Sequence, residues 1–97
     1  MPSCAQLKGE IDKGIAHGGS PQEKARAAYL AICLDFSPAL KEKYPEQWPE
    51  AIAALNGYPR VLQVMFYEAP FPAGDRIREK AGAAGLQKPA TDLKLGA

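Results

Sequence analysis

The sequence predicts an all-α fold, an irregular bundle of five or six short helices around one central buried helix. Three observations carry this expectation. Apolar residues recur at three- and four-residue steps in most segments, the spacing of one helical face. Ser20-Pro21 and Ser37-Pro38 each pair a capping hydroxyl with a proline suited to the first helical position. Only the run 60–68 could also be a strand. A lone strand would leave its backbone groups unsatisfied, so helix is the better reading there too. With 97 residues, 46% hydrophobic and 24% charged, the chain has the composition of one small globular domain.

The first helix is expected over residues 3–16. Cys4, Leu7, Ile11 and Ile15 share a face, and Ser3 can cap it. Gly9 and Gly14 each cost a helix about 1 kcal/mol relative to alanine, so this helix depends on packing. His17-Gly18-Gly19 ends it, with a glycine suited to the left-handed conformation. Ser20-Pro21-Gln22-Glu23 then reads as a capping box opening the main helix, expected to run to about Phe36. Ala25, Tyr29, Ile32 and Phe36 form one stripe and Ala27, Leu30 and Leu34 the other, so this helix is apolar nearly all round and belongs in the centre.

Ser37 as cap and Pro38 as first residue open a short helix to about Tyr44, where Pro45 stops it. Pro49 opens another with Ala51, Ile52 and Leu55 inward, and Asn56-Gly57 closes it as a left-handed cap. A further helix is expected over 60–68. Ala69-Pro70-Phe71-Pro72-Ala73-Gly74 reads as an extended loop. The last helix is expected over 75–84, with Ile77, Ala81 and Ala84 inward and Gly85 as its stop. Residues 86–97 carry few apolar anchors and are expected as a loosely held tail.

Composition narrows the function. Twelve Lys+Arg against eleven Asp+Glu give a net charge of +1, which excludes a strongly basic coat and an acidic nucleic-acid mimic. The start has no charged segment followed by an apolar run, so no secretory signal is expected. No uncharged stretch approaches the roughly twenty residues of a membrane span. A reduced, cytoplasmic protein without membrane contact is therefore expected. Cys33 sits in the apolar run 27–34 and reads as a small buried hydrophobe. Cys4 is the more accessible thiol, and a Cys4–Cys33 bridge would need an oxidising compartment.

Catalysis finds little support. A nucleophile needs a base in reach, and His17 is the one histidine. Two cysteines and one scattered histidine make no zinc pattern, and no calcium loop is present. The expectation is a protein that is not an enzyme, without metal or cofactor. Gly18-Gly19-Ser20 before a helix start could hold an anion, but Glu23 already uses that cap.

Two binding readings remain. Tyr44, Trp48, Tyr58, Phe66, Tyr67 and Phe71 lie close together in sequence among Pro45, Pro49, Pro59 and Pro70. Aromatic side chains are enriched in interface cores. Trp48, Tyr58, Tyr67 and Phe71 are the candidate partner-binding residues of an accessory, adaptor or inhibitor-like module. If they instead close the core, Trp48 and Phe71 should be buried. The second reading is a small nucleic-acid-binding or regulatory protein using Arg60, Arg76, Arg78 and Lys80. From residue 76 onward five cations face two carboxylates, a local excess of +3. Against it, the loop before the last helix is longer than a helix-turn-helix allows, and that helix lacks Asn and Gln to read bases. Self-association as a structural subunit is a third possibility.

Overall fold

The computed structural model describes residues 3–68 and 73–89. They form six α-helices and one π-helical turn, with no strand among the described residues. The helices are α1 (Cys4–His17), α2 (Pro21–Cys33), α3 (Ser37–Lys43), α4 (Gln47–Asn56), α5 (Pro59–Gln63) and α6 (Ala73–Ala83). The π turn (Val64–Glu68) continues directly from α5. The 60–68 segment is thus helical, as its lack of a pairing partner requires. No described helix is long and apolar enough to cross a membrane.

Local chemistry sets the helix starts. Ser3 and Gln6 form a reciprocal capping box: Gln6 N–H donates to Ser3 Oγ at 3.1 Å, and Ser3 N–H donates to Gln6 Oε1 at 2.8 Å. At α2, Glu23 N–H donates to Ser20 Oγ at 3.2 Å, and Pro21 occupies the first turn. The Glu23 carboxylate reaches the Gly19 N–H at 3.4 Å, one residue earlier than the reciprocal box requires. Helix α3 takes Ser37 inside its first turn, and that side chain makes no cap. Helix α4 starts two residues before Pro49. Proline fits there because the first N–H groups of a helix have no intrahelical acceptor.

The helix stops depart from expectation. Gly18 and Gly57 end α1 and α4 at φ −57° and −80°, not left-handed. The left-handed caps are Asp35 (φ 64°) and Gly85 (φ 93°). Both close Schellman motifs. Phe36 N–H donates to Ala31 O at 2.7 Å and Asp35 N–H to Ile32 O at 3.2 Å. Leu86 N–H donates to Ala81 O at 3.0 Å and Gly85 N–H to Gly82 O at 3.1 Å. Helix α2 therefore stops at Cys33, three residues short of Phe36. At the other end, Ala73 and Gly74 belong to α6 rather than to the preceding loop.

Helix α2 is central and packs against α1, α3, α4 and α6. Its buried residues are Ala25, Ala27, Ala28, Ala31 and Ile32. Small side chains let neighbouring backbones approach closely. A Cβ placed on Gly14 of α1 would lie 2.8 Å from Ala27 Cβ. Around this block the larger residues Ile11, Ile15, Ile32, Leu55 and Met65 fill the core, each about 1% exposed. The segment after α6 is held as well. Leu86 is buried, and Asn56 Oδ1 accepts from Gln87 N–H at 2.9 Å. Residues 86–89 of the expected tail are thus held, and residues 90–97 lie outside the described residues.

The two interior glycines of α1 should respond oppositely to alanine. Gly9 has nothing within 4 Å of a new Cβ, so Gly9→Ala should stabilise by about 0.5–1 kcal/mol through helix propensity. Gly14→Ala must push α1 from α2 and should cost about 1–3 kcal/mol. Denaturant midpoints moving in opposite directions bear this out. A rise in both would show that α1 and α2 are not in close contact.

Candidate functional site

One face of α2 and the approach to α5 enclose an open groove of about 540 Å³. Gln22, Ala25, Arg26 and Tyr29 line it from α2. Their spacing puts them on one stripe over two turns. The facing wall is Tyr58, Arg60, Val61 and Val64. Leu55 of α4 and Ala25 form its buried base. The volume is within the range of ligand-binding clefts.

Backbone bonds hold the α5 wall. Tyr58 precedes Pro59, which excludes it from helical geometry, and it sits at φ −117°, ψ 80°. Its N–H donates to Leu55 O at 3.0 Å, and its carbonyl accepts from Val61 N–H at 3.0 Å. Tyr58 and Val64 remain 37% and 38% exposed. With Leu34, they are the exposed large hydrophobics among the described residues. Two of those three share this groove.

The sequence-derived candidates separate. Trp48 is 2% exposed and belongs to the core. It is therefore corrected from a partner-binding residue to a packing one, since its side chain cannot reach a partner while the fold holds. Tyr58 lines the groove. Tyr67 is half-buried, donates its hydroxyl to Pro89 O at 2.7 Å and carries Lys88 over its ring at 5.4 Å. Phe71 lies outside the described residues.

The basic set is divided between α5, which carries Arg60, and α6, which carries Arg76, Arg78 and Lys80. Arg78 pairs with Asp75 at 2.6 Å and Lys80 with Asp35 at 3.3 Å. Arg76 is exposed on α6, while Arg60 belongs to the groove. Sequence reasoning missed Arg26, Val61 and Val64, and took Tyr29 for core. The available signal was the three- and four-residue spacing of Gln22, Ala25, Arg26 and Tyr29, which sets a cation beside Ala25 and Tyr29.

Neither the Cys33 thiol nor His17 lines this groove. Burial pushes the Cys33 thiol above the ordinary thiol range, only partly countered by a hydrogen bond with Tyr29, so little thiolate forms near neutrality. His17 is exposed beside Glu10, Lys13 and Glu23, in a polar cleft of about 300 Å³. Among the described residues no group of three His, Cys, Asp or Glu is placed to hold a metal ion.

A polar clasp joins α1 to the end of α3. Asp12 accepts from Tyr44 Oη at 2.6 Å and from Lys43 Nζ at 3.0 Å. The Tyr44 hydrogen bond, with Lys43 adding to it, holds the Asp12 carboxyl below its ordinary value near 3.8. The bond to Asp12 raises Tyr44 above 10.0 and Lys43 above 10.5. The clasp is structural, because each member is engaged by the others.

Comparison with protein-family models, curated proteins and solved structures finds no match for this chain.

The clasp predicts a pH window. Asp12 has the lower pKa when folded, so its contribution is present above about pH 4 and is lost as pH falls through the folded value. Tyr44 and Lys43 have the higher folded pKa, so theirs is present below about pH 10 and is lost as pH rises through the folded values. Asp12→Asn should flatten both limbs of a stability–pH curve. An unchanged curve would show that the clasp does not form in solution.

Proposed function

We propose that this chain is a non-enzymatic helical binding module, accessory, adaptor or inhibitor-like, whose partner is another protein docking in the groove between α2 and α5. The observation that carries the reading is the coincidence of Tyr58, Val64 and two arginines around one open apolar cleft. Clustered exposed apolar residues mark interaction sites, whereas isolated ones are ordinary. A tyrosine held by backbone bonds at a groove edge loses little entropy on binding. The nucleic-acid reading has weaker support, because Arg78 and Lys80 are already engaged by carboxylates.

Tyr58→Ala and Val64→Glu change partly exposed positions and should lower stability by about 0.5–2 kcal/mol while leaving the chain folded. Immobilised wild-type chain, treated with nuclease, should retain specific proteins from a cell extract that both variants lose. Purified partners should then bind the variants with about 2 kcal/mol less affinity, roughly thirtyfold. Partners that disappear on nuclease treatment, or that bind both variants as well as wild type, would overturn the reading.

A further inference from the structure

Among the described lysines and arginines, four pair with a carboxylate, and Lys8, Lys13, Arg26, Lys41, Arg60, Arg76 and Lys88 do not. Lys24, Lys43, Arg78 and Lys80 each meet a carboxylate within 3.4 Å. Arg26 and Arg60 meet none among the described residues, and both line the groove. Arg26 extends from the α2 wall and Arg60 from the α5 wall, so the apolar base has a cation on each side. Glu23 lies one turn before Arg26, and Glu10 lines the adjoining polar cleft. Neither forms an ion pair with it.

The groove's form selects among the ways a protein segment can bind. Among the described residues there is no strand, so no sheet edge can take an added strand. The α2 wall from Gln22 to Tyr29 rises about 10 Å, two helical turns, and faces the residues of α5 across an open cleft. Two helical walls with residues at three- and four-residue spacing accept a third helix by interdigitating ridges and grooves. A guanidinium presents forked donors that match a carboxylate.

We infer, resting on the protein-partner reading above, that the occupant is an amphipathic partner helix whose apolar stripe is flanked on both sides by Asp or Glu. The stripe covers Tyr29, Tyr58, Val61 and Val64. The flanking carboxylates complete Arg26 and Arg60. A helix flanked by Lys or Arg would bring like charges together at both walls, so the arginines set specificity as well as attraction.

The test is a phage library of random, cysteine-free 16-residue peptides selected on the full chain and on the double variant Arg26→Glu, Arg60→Glu. Circular dichroism and the thermal midpoint confirm that the variant folds, both positions being exposed. Wild type should select peptides with apolar residues at helical spacing flanked by Asp or Glu. These should bind the double variant about tenfold more weakly or worse, and selection on that variant should turn to Lys and Arg. Binding should be lost in Val64→Glu. Groove-binding peptides without a charge preference, or proline-rich ones, would overturn the acidic-helix inference and leave the protein-partner reading standing. Failure to select any peptide sensitive to Val64→Glu would overturn both.

Discussion

The close approach of α1 and α4 to α2 is the constraint on which the rest depends. Helix α2 turns alanines inward, and Gly14 gives α1 room against Ala27. Alanine and glycine contribute little apolar area of their own. Their value is that they bring backbones together, so that the large residues Ile11, Ile15, Ile32 and Leu55 close around a thin seam and are each about 1% exposed. Helix α4 is the second support, since Asn56 holds the turn after α6 through Gly85 O and Gln87 N–H. Helix α5 then packs on α4 and leaves a cleft toward α2.

That arrangement divides the aromatic stretch between two roles. Trp48, on the first turn of α4, is sealed in the core, while Tyr58, at the α4–α5 junction, stays in the cleft. The same division applies to the charges. Lys24, Lys43, Arg78 and Lys80 meet carboxylates, whereas Arg26 and Arg60 line the open groove without one.

Much of the fold was legible in the sequence because it rests on local chemistry. Ser20-Pro21 and Ser3 marked helix starts through side-chain acceptors, and Gly85 marked a stop. Asp35 was illegible as a left-handed cap, since an aspartate takes that conformation only when its surroundings favour it; here Lys80 of α6 supplies a charge partner. Gly18 and Gly57 looked like left-handed caps but adopt negative φ, because composition permits that conformation without requiring it. The candidate site was the least legible part. Periodicity placed Tyr29 and Ala25 on one stripe, but whether a stripe meets another helix or open space is a tertiary fact. Trp48 was misread for the same reason.

Solvent paramagnetic relaxation, read by NMR with a soluble gadolinium probe, measures this division of exposed and sealed residues directly. The account predicts strong attenuation of the Tyr58 ring and Val64 methyl signals, and little attenuation of the Trp48 ring or the Ala27, Ala28 and Ala31 methyls. An attenuated Trp48, or a Val64 as protected as the α2 alanines, would contradict it.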